Sequence, residues 1–542
     1  MGMKKINIYR IIIGMGVVSS LVSCNYEEIN TNPFEMTDEM GKRDGIAVGG
    51  PITSMQKMVT PVGTQADDTD IINQYQVAYN LSADTWSGYF GQNNNWYSGS
   101  NHTTLYLQDA WLSSTYKNSY TELLSSWKSV KIESEKAGTP EVFALAQILK
   151  VSAWHKTLET FGPIPYTHAG DAALVIPFDS EEETYKAMFN DLSAAIAELT
   201  PLAEQNAKVV PDFDAVYGGN IVKWVRYANS LMLRLAMRLK YVSPELSKQY
   251  VTQALGHELG VITTKADEAQ LSTGAGMVFR NNIEWLSNQY NECRMGTSMY
   301  SYLVGYKDPR LQKYFQASES QYAVEAFDGQ SYQAVPPGHV YGQNDVFKEF
   351  SKPNVTSATP TYWLRASEVY FLRAEAALEW PEFGDAESLY KQGIEMSFEE
   401  NGISASAAAA YLESTDKPAT FNLNAGSYRY SSTAPTQTTI KFEGNKEEKL
   451  EKIMIQKWIA LYPNGQEAWT EWRRTGYPKL HQVQNNRGSS QGVTDPSRGI
   501  RRMIYPQSFY QSEEDKANYN AAVQLLKDKV DTSSSRLWWD CR

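Results

Sequence analysis

The sequence predicts a mostly α-helical fold. Three observations carry this reading. Apolar residues recur at i, i+3, i+4 and i+7 over several separate stretches, the period of a helix with one buried face. Two such stretches, 363–380 and 385–400, are joined by Gly384-Asp385 and repeat with a period near the roughly 34 residues of a tetratricopeptide unit. Between the helical stretches lie long segments rich in Tyr, Trp, Asn and Gly with no helical period. The chain of 542 residues is 42% hydrophobic and 21% charged, which excludes disorder over its whole length. A net charge of −12 argues against non-specific binding to nucleic acid.

Taken in order, residues 1–23 read as an export signal. Lys4, Lys5 and Arg10 form a basic start, and Ile11 to Val22 is uncharged. That run fits a signal core of about 7–15 residues and falls short of the roughly 20 needed to span a bilayer. Leu21-Val22-Ser23-Cys24 then resembles a bacterial lipobox, in which the nucleophilic thiol of Cys24 carries a diacylglycerol and becomes the mature N-terminus. Loss of residues 1–23 removes three positive charges and no negative ones, taking −12 to −15. Residues 24–50 read as a lipidated tether and 51–542 as a single domain.

Within that domain, 82–104 reads as a loop and Ser119 to Glu135 as helical. Residues 141–160 are a helix ended by the turn Phe161-Gly162-Pro163-Ile164-Pro165-Tyr166. Glu182 to Leu199 is a second, stopped by Thr200-Pro201, and Ile221 to Tyr241 a third. Residues 260–300 and 316–360 lose the period; segments that long carry function or unrecognised strands. Helical signal returns at 363–380 and 385–400, where Ala374, Ala376 and Ala377 admit a close partner helix, then at 404–413, Glu447 to Tyr462 and Ala517 to Lys529.

The chemistry points to binding. No nucleophile elbow, zinc-protease, Walker or dinucleotide motif occurs, and neither a metal site nor a cofactor is expected. Asp67-Asp68-Thr69-Asp70 lacks the spacing of a calcium loop. The pairs Glu133/Glu135, Glu181 to Glu183 and Glu399/Glu400 read as solvated helix faces. Glu471, Arg473 and Arg474, with Arg234 and Arg238, read as a buried ion-pair network reaching Glu368 or Glu375. Cys293 and Cys541 are either bridged or free.

Aromatics make up 12% of the chain, with 34 Tyr and 14 Trp. Sugar rings offer a C–H face and a rim of hydroxyls, which Trp or Tyr beside Asn or Gln can match. Two stretches have that composition, 86–97 and 281–291. Trp96 and Trp285 are the candidate anchors. Trp86, Tyr89, Tyr97 and Tyr290 are secondary contacts, and Asn93, Asn95 and Asn288 the candidate hydroxyl readers.

Several segments, in joint order, resemble the SusD/RagB superfamily of Bacteroidetes outer-membrane lipoproteins. They include Asn30-Thr31-Asn32-Pro33, Phe161 to Tyr166, Lys223-Trp224, Ala228 to Arg238, Asp308-Pro309-Arg310-Leu311, Ser367 to Ala376, Gln456 to Leu461, Glu467 to Pro478, Arg501 to Pro506 and Trp538-Trp539-Asp540. The resemblance implies eight helices in four TPR-like pairs, with long loops and short strands packed on one side. It implies a cell-surface protein, not an enzyme, that captures oligosaccharides, or in some members peptides. Such proteins act as a lid on a SusC-like TonB-dependent transporter. Asn25-Tyr26-Glu27-Glu28-Ile29 resembles the surface-export signal of such lipoproteins. A surface glycoside hydrolase, the alternative of another class, would need two carboxylates about 5–9.5 Å apart across a cleft.

Replacing Cys24→Ala is expected to abolish lipidation and release the protein from the membrane fraction. Glu27→Ala with Glu28→Ala is expected to leave the lipid but hide the protein from protease added to whole cells. Retention of Cys24→Ala protein in membranes lacking the transporter would defeat the lipobox assignment.

Overall fold

The structure is a computed structural model that describes residues 45–66, 70–342 and 344–542. Cys24, the export signal, most of the tether and Asp67 to Thr69 lie outside the described residues.

Eight helices form the scaffold in four consecutive pairs. They are α1 (Glu122–Ala137) with α2 (Pro140–Phe161), α3 (Glu181–Glu204) with α4 (Ile221–Arg238), α5 (Ala366–Glu379) with α6 (Ala386–Glu400), and α7 (Lys446–Leu461) with α8 (Gly465–Thr475). Each helix packs on its pair-mate, α2 also on α3, α4 on α5, and α5 on α7. Local sequence sets the ends. Gly138 closes α1 at φ 67°, and Pro140 opens α2 where a missing N–H costs nothing. Ser180 and Glu183 cap α3 reciprocally, as Asn445 and Glu448 cap α7. Asn220, Asp385 and Asn464 each accept a backbone N–H at the start of α4, α6 and α8. Close approach of α6 to α5 needs Gly393, where a Cβ would sit 2.7 Å from the Phe371 ring.

The irregular segments pack as loops with short antiparallel strand pairs: Ala269–Leu271 on Thr361–Leu364, Val324–Phe327 on Gln330–Tyr332, and Phe421–Ala425 on Tyr428–Ser432. Two apolar clusters result. One centres on α1 to α4 and the other on the loop side with α6 and α7. Among the described residues no helix is long and apolar enough to cross a membrane.

Charged side chains tie the pairs together in the interior. Arg238 of α4 donates to Glu159 of α2 at 3.0 Å, to Glu467 of α8 at 2.7 Å and to Glu471 of α8. Arg234, one turn earlier, grips Glu368 of α5 through two bonds of 2.7 Å. Arg474 of α8 grips Glu375 of α5 at 2.8 and 2.6 Å, and Lys457 of α7 reaches Glu471 at 3.0 Å. All of these residues are buried. Burial works against the Glu375 charge, yet Arg474 and Lys240 outweigh it and hold the carboxyl well below the usual range. At Glu159 burial wins over Arg238 and pushes the carboxyl up. The expected network is therefore present. Arg473 departs from it: it stacks on Trp469 at 3.3 Å and donates to the carbonyls of Trp469 and Arg501.

Four local readings need correction. Helix α3 runs through Pro201 to Glu204: Pro201 forgoes only the bond to the Ala197 carbonyl, and the Thr200 hydroxyl beside it donates to the Ile196 carbonyl at 2.7 Å. Residues 361–364 are a strand rather than the start of α5. Glu181 is buried, not solvated: it accepts from Trp538 N at 3.0 Å, and burial pushes its carboxyl up to about 8. Glu400 is likewise buried, accepting from Ser367 N and Oγ at 2.7 and 2.8 Å at the start of α5. Cys293 and Cys541 are both free thiols.

Arg238→Ala leaves three buried carboxylates without their shared cation. The unfolding free energy is expected to fall by about 3–5 kcal/mol, read from the urea midpoint at unchanged slope. A loss under about 1 kcal/mol would show that the pairs do not depend on this residue.

Candidate ligand site

The two aromatic stretches meet. Strand β1 (Phe90–Gln92) pairs antiparallel with β2 (Cys293–Met295), matching Phe90 to Met295 and Gln92 to Cys293. Past the strands, Asn93 N donates to Glu292 O at 2.7 Å and Asn93 Nδ2 to Asn291 O at 2.8 Å. The Glu292 carboxylate accepts from Asn94 Nδ2 at 2.8 Å and from Gln76. Burial pushes this carboxyl up to about 7, against the hydrogen bond from Asn94. One side chain thus fixes three loop segments.

Over this junction lies a surface depression of about 380 Å³ lined by Asn73, Gln76, Val77, Leu81, Trp96, Tyr97 and Trp111. Trp111, from the helix Asp109–Tyr116, is the hub. Trp96 meets it edge-on at 6.4 Å, Tyr97 at 5.5 Å and His102 at 4.9 Å. Tyr97 is 53% exposed and half-buried Trp96 flanks it. Tyr97 and Ser98 both sit in the left-handed region, at φ 51° and 52°. A bulky residue there carries strain of roughly 1–2 kcal/mol. Asn101 helps hold the bend, donating through Nδ2 to Trp96 O at 2.6 Å.

The second stretch flanks the depression. Tyr290 OH donates to Asn73 Oδ1 at 3.0 Å. Half-buried Trp285 stands edge-on to Tyr290 at 6.4 Å and under the Arg280 guanidinium at 4.8 Å. It lies on a short helix, Asn282–Asn288, where a loop was expected; Asn281 Oδ1 caps it by accepting from Ile283 N and Glu284 N. Asn288 is exposed and donates to Glu284 at 3.2 Å. Asn95 is half-buried and reaches Val340 O at 3.4 Å.

Three candidate contacts lie inside the protein instead. Tyr89 is fully buried, its hydroxyl on the Trp458 carbonyl and its ring 5.3 Å from Trp458. Trp86 is buried against Trp469 at 4.9 Å, with its indole N–H on His102 O at 2.8 Å. Asn93 is buried and spent on the loop junction just described. All three have the residue type of a sugar contact, but the two rings are packed on protein and the Asn93 NH2 is spent on Asn291 O, with its amide oxygen buried. Conversely Asn73, Gln76 and Trp111 were missed. All three lie outside 86–97 and 281–291, the stretches whose composition points to a sugar contact.

The metal-type trio His155, Glu159 and Glu467, with ligand atoms within 4.8 Å of one another, is taken up by Arg238, which bonds both carboxylates.

A family model described as "Susd and RagB outer membrane lipoprotein" matches residues 28–540. A chitin-binding SusD homolog from Flavobacterium johnsoniae superposes with a TM-score of 0.83 at 32% identity, covering 91% of this chain and 99% of its own. A SusD homolog from Bacteroides ovatus gives 0.82 at 32%, covering 92% and 100%, and one from Bacteroides vulgatus 0.82 at 31%, covering 92% and 99%. No curated protein matches the chain.

Asn tolerates the left-handed region better than Tyr. Tyr97→Asn is therefore expected to keep or raise the melting temperature, although it removes the most exposed ring of the depression. A clear fall in melting temperature would show that the Tyr97 ring supports the fold rather than a ligand.

Proposed function

The chain belongs to the SusD/RagB family of outer-membrane lipoproteins, and from that premise we propose that it captures oligosaccharides at the cell surface. It passes them to a SusC-like TonB-dependent transporter and performs no catalysis itself. The lipid on Cys24 anchors it to the outer membrane, and residues 51–542 act as one ligand-binding domain.

The observation that carries this reading is the meeting of Trp96, Tyr97 and Trp111 with the amides of Asn73 and Gln76 in one open depression. Flat apolar rings suit the C–H face of a sugar; the exposed Asn73 amide, whose oxygen already accepts from Tyr290, offers its NH2 to a hydroxyl, and buried Gln76, whose NH2 is on Glu292, offers its amide oxygen. The homolog from Flavobacterium johnsoniae, which binds chitin by its description, supports a glycan as the ligand class. An open depression of this kind leaves most of the ligand solvated, so affinity in the micromolar range is expected. Trp96 and Tyr97 are the anchors; Trp285 and Tyr290 extend the site, with Asn95 and Asn288 at its edge.

Calorimetry against neutral glycans, chito-oligosaccharides among them, and against peptides tests the reading. Trp96→Ala is expected to weaken glycan binding by about 1–3 kcal/mol, and Trp285→Ala by less because its ring is shared with Arg280 and Tyr290. Binding of peptides with no response to any glycan would move the ligand to the peptide class. Sugar release from an unmodified oligosaccharide would replace the binding role with hydrolysis.

A further inference from the structure

A second cleft, of about 470 Å³, opens where α8 and the segment after it meet residues 496–501 and the C-terminus. Its wall carries the side chains of Arg473, Lys479, Arg498, Arg501 and Arg542, and among the described residues that line it there is no Asp or Glu. On a chain of net charge −12 this is an anomaly. The neighbouring acids neutralise only part of it. Asp540 is the carboxylate partner of Arg501, and Glu447 that of Arg542. Buried Arg473 has no carboxylate of its own and bonds two carbonyls and the Thr470 hydroxyl. Lys479 is exposed, with its ammonium 4.8 Å from the Tyr477 ring, and Arg498 is exposed beside Asp495. His481 adds no charge: it bonds the hydroxyls of Ser301 and Ser432 at 2.8 and 2.7 Å, and burial pushes it down to about 4.

Beside Gln482 and Ser497, the wall has an apolar part. It is formed by the half-buried Trp472 ring with Leu480, Val483, Pro435 and Pro496. Cations alone would suit any anion; cations around a ring-sized apolar wall suit a charged sugar.

We propose that this cleft is a second binding site, which takes the carboxylate or sulfate of an acidic glycan. Lys479 and Arg498 meet the anion at the mouth, Arg473 supplies positive potential from behind while Arg501 is held by Asp540, and Trp472 faces the sugar ring. The proposal rests on the reading of the protein as a glycan binder, but it uses none of the residues that line the Trp96 depression.

The test uses the full-length lipoprotein in neutral detergent, titrated with digalacturonic acid, its dimethyl ester, a sulfated chondroitin disaccharide and chito-oligosaccharides. The acid and the sulfated sugar are expected to bind, more weakly as salt rises, and the uncharged ester not to bind at this cleft. Lys479→Glu with Arg498→Glu is expected to cut acidic-sugar affinity by about tenfold or more while chito-oligosaccharide binding is unchanged. Lys479→Gln with Arg498→Gln gives the same order of effects should charge reversal disturb folding. Failure of both anionic sugars to bind overturns the proposal, as does binding that ignores the double variants. Displacement of the acid by an equal concentration of inorganic phosphate would show that the sugar ring contributes nothing, and overturns the glycan assignment. Loss of chito-oligosaccharide binding in Trp96→Ala, with acidic-sugar binding intact, separates this site from the first.

Discussion

The interior ion-pair network around Arg238 is the constraint from which the rest of the structure follows. Five acids, Glu159, Glu368, Glu375, Glu467 and Glu471, meet Arg234, Arg238, Arg474 and Lys457 in a volume without water-exposed surface. Such a network need not raise net stability, since desolvation of each charge offsets its attraction. Its effect is on register. A helix shifted by one residue would leave a buried carboxylate without its guanidinium, so α2, α4, α5, α7 and α8 can meet in one arrangement only.

That arrangement decides where the ligand loops stand. Gly465 opens α8 hard against Asp84, where a Cβ would lie 2.3 Å from the Asp84 Cα. One turn on, Trp469 of α8 receives Trp86 at 4.9 Å. Tyr89 is fixed to Trp458 of α7 by hydroxyl and ring. The residues of the first aromatic stretch that are absent from the surface are thus its mounting. They bolt the loop to the fourth helix pair, so that Trp96 and Tyr97, a few residues later, are presented from a rigid base. The Glu292 carboxylate does the same for the second stretch by holding Gln76 and Asn94.

This explains what could be read in the sequence. Helices with a caps-and-period signature, such as Glu181–Glu204 and Lys446–Leu461, were legible to within a few residues. So was a buried ion-pair network reaching Glu368 or Glu375, though not which arginine takes which, because charges on apolar helix faces must find each other. The short strand Thr361–Leu364 and the helix Asn282–Asn288 were not. Their form is set by partners distant in sequence, and by one Asn cap amid other Asn residues. Composition located both aromatic stretches but could not sort their members. Trp86 and Trp96 have the same neighbours in type, and only the position of Trp469 makes one of them core. Glu181 and Glu400 were misread for a similar reason: their partners, Trp538 and Ser367, come from elsewhere in the chain.

Trp86 also shows what kind of coupling the fold permits between the aromatic depression and the cationic cleft. It lines the cleft, and its ring lies 5.8 Å from His102, which in turn meets Trp111 of the depression at 4.9 Å. The two sites therefore share one wall of tilted and edge-on rings. Burial pushes His102 down to about 3, so this wall carries no charge at any pH at which the protein would work. It cannot transmit occupancy by protonation. Close-packed rings seated on α8 have few alternative rotamers, so they cannot readily transmit it by movement either. The wall acts as a rigid partition, and a neutral and an acidic sugar would each meet a surface already in its final form, without the ordering cost that flexible loops would impose.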